Sequence, residues 1–417
     1  MDTRHEFSLH LRQLLFLPHN HPMKKHLLLS FFLLLSVTFG YSQTYIPYYA
    51  SVVNQCSQTN ITSNLTEFEA LGVKRRGTAA LNNTLNWLRT EYLSYGYTAS
   101  QLQEYSYTYQ GSSAICKNLV VTKVGTLYPN TFLIVCGHYD SIIGTGTNDN
   151  GSGTVAILEI ARLLRNIPTE YSIKFINFSG EEDGLRGSQN FVNTVVNGTS
   201  PKMDIRLVFN LDEVGGDATL INDTITCERD TGSPSSNNAL SNQRTQELIT
   251  CTELYTDLNT FLSYAYASDY MPFEDNGEII TGFFETNETP HRHTATDFLV
   301  NMDPVYNYKV AKAAIGSTMH FAVAAISTLS NNQFDNEDQV SFFPNPTKDV
   351  LNINLGSLQD TAYKFLLVDL QGKVVLSKTV ENASLIEKVS LNSLPRGMYL
   401  AVLQTPTKRI TKKIFVE

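Results

Sequence analysis

Three apolar runs in this 417-residue chain end on acids or imidazoles. "TFLIVCGHYD" closes on His138 and Asp140, "YSIKFINF" is followed almost at once by Glu181, Glu182 and Asp183, and "LVFNLD" closes on Asp212. Two loop-like segments add further donors: "GTNDNGSG" carries Asp149, and "PHRHTATD" carries His291, His293 and Asp297. Imidazole and carboxylate donors without thiolates suit a catalytic zinc site better than a structural one. Acids gathered in one hole repel each other, and one or two divalent cations remove that repulsion. Residues two apart on a strand share a face. His138 can therefore bind a metal through one ring nitrogen while Asp140 hydrogen-bonds the other and orients it. Each motif also has an ordinary structural reading: a satisfied histidine, an Asx turn, an acidic helix start. Those readings do not supply an ordered series of donors at strand ends.

The elements that must position these residues alternate from about Thr44 to Ser327. "ALNNTLNWLRTEYLSYG" has helical spacing of Leu81, Leu85, Leu88 and Tyr92. "NLVVTKVGTLYPNTFLIVCGHYDS" predicts two strands joined as a hairpin through its Gly/Pro/Asn turn. "GTVAILEIARLLRNI", "GLRGSQNFVNTV" and "ALSNQRTQELITCTEL" predict helices, "YSIKFINF", "IRLVFNLDEV" and "EIITGFFET" strands, and "YKVAKAAIGSTMHFAVAAIS" a long closing helix. The fold class is α/β, a mixed sheet covered by helices on both faces. Ligands of such sheets bind beyond the carboxyl ends of the strands. "STLSNNQFDNEDQ" is polar and aperiodic and predicts a linker. The strands that follow, without helices, predict a small all-β sandwich, with Leu351, Ile353 and Leu355 on one face of its first long strand.

At "GHYDS", "NDNGSG", "FSGEEDGLRGS", "NLDEVG" and "HRHTATD", in that order, the chain resembles the secreted di-zinc aminopeptidases (bacterial leucyl-aminopeptidase-like), whose relatives include glutamate carboxypeptidases and glutaminyl cyclases. The resemblance covers roughly Leu71 to Ser327. It implies a zinc exopeptidase-like fold and two Zn2+ ions. His138 and Asp212 would hold one, Glu182 and His293 the other, and Asp149 would bridge them. Asp140 would orient His138, and Glu181 would be the general base beside a metal-activated water. His291 is the competing imidazole; Thr294 and the acid at Asp297 match the family pattern at His293. Relatives read Ser-Asp-His where this chain has "SDYMPF", with Tyr270, which bears on substrate preference. Tyr270, Phe273, Phe283 and Phe284, with Phe261, Tyr264 and Tyr266 nearby, supply either an apolar substrate pocket or core. No basic cluster marks a carboxylate pocket. Asp183 is expected at a helix N-terminus, with Gly180 and Gly184 permitting the turn.

Formal charge is −9, which argues against nucleic acid as a partner. Residues 1–22 precede a better start at Met23, and the basic, apolar and small-residue run 23–42 is a signal peptide, too short for a stable membrane span. The domain expectation is a leader 1–42, a zinc peptidase domain 43–328, a linker 329–340 and a C-terminal sandwich 341–417. "FFPNPTKDVLNI", "LPRGMYLAVLQ" and "KRITKKIFVE" resemble the sorting domain of type IX secretion, which implies that export machinery as a partner and a secreted or cell-surface location. Cys136 reads as buried; Cys56–Cys116 and Cys227–Cys251 are the candidate disulfides. The function expected is a zinc aminopeptidase acting on peptides. The alternatives are a glutaminyl cyclase of the same fold and a non-catalytic surface binding protein.

Overall fold

The computed structural model describes residues 43–108, 111–325, 340–355, 362–369, 372–381, 384, 386–405 and 409–417. The predicted signal peptide, and all of the predicted linker except Val340, lie outside them. The chain divides into two units, Met1–Ile326 and Ser327–Glu417.

The first unit is built on one eight-stranded sheet: β1 (Leu102–Thr108), β2 (Ile115–Lys123), β3 (Tyr128–His138), β4 (Tyr171–Phe178), β5 (Asp204–Leu211), β6 (Thr224–Arg229), β7 (Asn259–Tyr264) and β8 (Ile280–Glu285). Its order is β1-β2-β4-β3-β5-β8-β6-β7. The four central strands β4, β3, β5 and β8 run parallel, so their carboxyl ends share one edge. β3 shows why both faces are covered. Leu133 and Val135 enter one apolar core, and Ile134 and Cys136 the other. The first core is closed by α1 (Pro47–Val53), α2 (Gln58–Ala70), α3 (Ala79–Ser94), α4 (Gly151–Leu164), α6 (Asn238–Tyr255) and α8 (Pro304–Phe321). The second is closed by α5 (Arg186–Phe191), the π turn Val192–Val196 and α7 (Met271–Asp275). Fully burying each Leu, Ile or Phe side chain contributes about 1.5–3 kcal/mol.

The predicted hairpin does not form. β4, with seven of its eight residues buried, lies between β2 and β3, antiparallel to one and parallel to the other. The connection crosses the start of β4: Gly125 N donates to Ser172 Oγ at 2.9 Å, and Thr126 N to the Thr169 carbonyl at 2.8 Å. A Cβ on Gly125 would lie 2.4 Å from the Tyr171 backbone, so only glycine fits the crossing. The strand signals were right; their pairing is set by burial of β4, which a local turn motif does not encode. The closing helix also stops earlier than its periodicity suggests. α8 starts on Pro304 with the Asp303 carboxylate capping Val305 and Tyr306, and ends at Phe321. Val323 then takes φ +51° and Ala324 bridges to Thr169.

All five cysteines are free and buried. The expected disulfides are not formed: Cys56 lies against Glu159, and Cys116 against Tyr107. Cys227 adjoins Glu228, and Cys251 adjoins Glu247 and Ser317. The second unit packs a three-stranded sheet against a four-stranded one, with Leu351, Ile353 and Leu355 in a shared core with Phe365 and Leu403. Among the described residues, no helix is long and apolar enough to cross a membrane.

His320 gives a test of the packing around α8. Its Nε2 lies 2.8 Å from the Tyr255 hydroxyl, and Tyr49 meets its ring edge-on at 4.8 Å. Burial lowers its pKa from 6.5 to about 4. The folded value is below the unfolded one, so the unfolded chain binds more protons in that window. Stability should fall as pH drops from 6.5 to about 4. In His320→Gln, denaturant midpoints across the same window should fall less steeply.

Candidate metal centre and active site

The parallel strands deliver donors to one edge. β3 ends on His138, Asp212 follows β5, Glu181 and Glu182 follow β4, and His293 lies in the loop after β8. Asp149 stands just before α4, whose N-cap Asn150 accepts from Gly153 N at 2.9 Å. The positive end of that helix favours a carboxylate there.

Among the described residues, two groups have ligand atoms within 4.8 Å of one another: His138, Asp149 and Asp212, and Asp149, Glu182 and His293. Asp149 is common to both. Its Oδ1 lies 3.2 Å from His138 Nε2, and its Oδ2 lies 3.0 Å from His293 Nε2. Asp212 Oδ1 is 3.3 Å from His138 Nε2, and Glu182 Oε2 is 2.9 Å from His293 Nε2. Glu181 Oε2 stands 3.9 Å from His138 Nε2 and belongs to neither group. His291 turns elsewhere, its Nδ1 2.7 Å from Thr296 Oγ1.

The residues fit divalent zinc. The donors are all nitrogen or oxygen, and Asp149 Oδ2 and Asp212 Oδ1 are buried with only an imidazole Nε2, at 3.0 and 3.3 Å, facing each. Such acceptors are costly in a protein interior unless a cation satisfies them.

In the protein alone, protons on the imidazoles do the neutralising. Burial would lower the His138 pKa, but Asp212, Glu181 and Asp149 raise it well above the usual histidine range. Hydrogen bonds to Asp149 and Glu182 push His293 up to about 10. Burial raises Asp149, but its contacts with the two histidines outweigh that and hold it below the usual carboxylate range. Glu182 is raised to about 7 by burial, against the pull of His293. Burial raises Glu181 well above the glutamate range; Asp212, Asp269 and Asp140 add to this while His138 opposes it.

A second layer holds the donors. β3 stops at His138, so the strand alternation does not extend to Asp140. It is the Asp140 carbonyl oxygen that lies 3.2 Å from His138 Nδ1, with the carboxylate 3.7 Å away. The carboxylate accepts instead from Glu181 N at 3.3 Å. Asp297 accepts from Asn148 N and Asp149 N at 2.8 and 3.1 Å, which fixes the turn that presents Asp149. Glu285 gathers Asn148 Nδ2, Gly216 N and Thr289 N. Ser268 donates to Asp212 Oδ2 at 2.5 Å. The Asp297 position was visible in its motif, without a role. Glu285 and Ser268 carried no local signal.

Asp183 is a correction. α5 begins at Arg186 with no acid in its first turn, and Asp183 Oδ2 pairs with Arg76 at 2.8 Å. Gly180 at φ +68° and Gly184 at +93° bracket the three acids and form the turn that precedes the helix.

The cluster opens into a cavity of about 400 Å³. Tyr270 and Phe284 line it, with Tyr266. Phe273 and Phe283 do not: both are fully buried, Phe273 against Phe178 and Phe191, and Phe283 against Phe209. Phe261 and Tyr264 lie exposed on β7. Of the five non-glycine residues with positive φ among those described, Leu185, Glu213, Ala267 and His293 line this cavity. Backbone strain is thus concentrated at the site.

Residues 118–318 match the model of peptidase family M28, and residues 341–417 match that of a secretion system C-terminal sorting domain. Aminopeptidase YwaD of Bacillus subtilis (strain 168) is 33% identical over 169 residues, 39% of this chain and 35% of that protein. The alkaline phosphatase isozyme conversion protein of Escherichia coli (strain K12) is 29% identical over 135 residues, 30% of this chain and 39% of that one. The matches thus span well under half the length of these curated relatives. The Legionella pneumophila LapA aminopeptidase superposes with a TM-score of 0.56 at 19% identity, covering 68% of this chain and 78% of that one. A Fimbriiglobus ruber glutaminyl cyclase gives 0.52 at 15% identity, covering 63% and 95%. At these identities the likeness is one of fold.

Zinc should stabilise the chain by relieving the acid cluster. Adding Zn2+ to metal-stripped protein at a hundredfold excess over Kd should contribute about 2.7 kcal/mol, read as a rise in Tm. Asp149→Ala, which removes the shared donor, should abolish most of that rise. An equal rise in the variant would show that the zinc acts elsewhere.

Proposed function

We propose, from the match of residues 118–318 to the model of peptidase family M28, that the protein is a secreted zinc aminopeptidase that removes N-terminal residues from peptides. The observation that carries this reading is the pair of donor groups sharing Asp149, with the Glu181 carboxylate beside them but outside both. His138 and Asp212 would hold one ion, Glu182 and His293 the second, and Asp149 both. Two zinc ions so held would lower the pKa of an attacking water and polarise the scissile carbonyl.

The chain's own residues do the rest. Glu181 takes the proton from the water and gives it to the departing amine as the C–N bond breaks. Burial and the neighbouring Asp212, Asp269 and Asp140 raise its pKa in the protein alone; bound cations would favour the ionised form that accepts the proton. Its backbone N–H is held by the Asp140 carboxylate at 3.3 Å, so Asp140 positions the base as well as the His138 ring. The C-terminal sorting domain supports export and a surface or extracellular location, with the type IX machinery as partner.

Peptides with free and blocked N-termini, assayed with and without a chelator, test the reading. Release of single residues should require a free N-terminus, stop with the chelator and return with Zn2+. Glu181→Gln should lower kcat by roughly 10²–10⁴-fold, with bound zinc unchanged. Full activity in that variant would remove Glu181 from its role. Cyclisation of N-terminal glutamine without hydrolysis would instead favour the cyclase.

A further inference from the structure

The cavity beside the metal donors is not lined as a purely apolar pocket would be. Beyond the proposed ligands and Glu181, its ionisable lining is Glu213, Glu228 and Arg292. Glu228 lies on β6, opposite Gly282 of β8, which is itself opposite Asn210 of β5. Two strand spacings therefore separate it from the strand that Asp212 follows, roughly 10 Å. It is 4% exposed. The Tyr270 hydroxyl donates to its Oε2 at 2.6 Å and lies 3.1 Å from Tyr266 N, from which it accepts. Gly282 leaves the space: a Cβ there would come within 2.7 Å of the Tyr270 ring and 3.2 Å of Glu228 Oε2.

The walls between the metal donors and Glu228 are aromatic. Tyr266 and Phe284 stand with ring centroids 6.4 Å apart, tilted by 65°. Arg292 does not offer a free cation. It pairs with Glu213 Oε1 at 3.1 Å and Glu288 Oε1 at 2.6 Å. Glu213 Oε2 is buried with no hydrogen-bond partner. Across the lining the guanidinium is already paired with Glu213, and among the described residues no salt bridge reaches Glu228, whose partner is the Tyr270 hydroxyl.

Building on the aminopeptidase reading, we propose that this cavity is the pocket for the substrate's N-terminal side chain and that Glu228, with Glu213, selects a basic residue, lysine or arginine. The aliphatic stem lies along the Tyr266–Phe284 pair, and the terminal cation meets the Glu228 carboxylate in the cavity wall. A flexible four-carbon stem with an ammonium head suits a cavity that offers both aromatic surface and an acid in its wall. A buried carboxylate is costly while unpaired and forms a strong charge-assisted hydrogen bond once a cation arrives. Burial raises the free Glu228 to about 8, and a bound ammonium or guanidinium would restore its charge.

Aminoacyl amides of lysine, arginine, leucine and glutamate, compared on the zinc-loaded full chain, test the inference. The lysyl and arginyl amides should exceed the leucyl amide in kcat/KM by tenfold or more. Glu228→Gln should lower the lysine-to-leucine ratio of kcat/KM at least tenfold, mainly through KM, while keeping the Tm of the parent. Preference for leucine or glutamate, or an equal loss on all substrates in Glu228→Gln, would overturn it. Should none of the amides turn over, the aminopeptidase reading fails, and calorimetric binding of lysinamide against norleucinamide reads the pocket alone. Lysinamide binding tenfold tighter would uphold the basic pocket, and equal binding would overturn it.

Discussion

The mutual repulsion of carboxylates brought to one edge of a buried sheet is the constraint around which the first unit is arranged. Asp149, Asp212, Glu181 and Glu182 come from different segments, and two of them are adjacent in sequence. In a low-dielectric interior such charges interact far more strongly than in water. The structure meets this in layers. Imidazoles stand between the acids, a helix N-terminus faces Asp149, and backbone N–H groups anchor Asp140, Asp297 and Glu285 behind them. Divalent cations would complete the balance, and the same charge that would hold them is the source of the proposed chemistry.

Glu181 and Glu182 show how little sequence distance matters once the backbone turns. Gly180 and Gly184 take positive φ on either side of them. The two side chains then part: Glu182 toward His293, Glu181 toward His138 without entering either donor group. A ligand lends its charge to a metal, whereas a base must keep a lone pair available, so the separation would let the proposed ligand and the proposed base do different work. Arg76 draws the third acid, Asp183, out of the cluster.

Much of this was legible because the signal is local. Each donor sits at the end of an apolar run or in a Gly-rich turn, and parallel strands bring such ends together without any long-range detail being known. The split of β3 between two cores follows from strand alternation alone. What failed was non-local. The insertion of β4 between β2 and β3 depends on burial across the whole sheet, and a Gly/Pro/Asn turn between two strands gives no hint of it. Phe273 and Phe283 could not be told from Tyr270 and Phe284 because all four sit close together in sequence and only packing decides which line the cavity. The disulfide pairings rested on spacing, which carries no geometry. Glu228, on a short strand with no motif, had no reason to be singled out; its place in the cavity comes from the antiparallel pairing of β6 with β8.

The account stands most directly on where cations bind. Anomalous diffraction at the zinc edge, from crystals of the zinc-loaded chain, should show two peaks roughly 3.5–4 Å apart, one on each side of Asp149. One peak should be ligated by His138 and Asp212, the other by Glu182 and His293. No zinc at Asp149, or a single ion that leaves Glu182 and His293 without one, would contradict the shared-carboxylate centre.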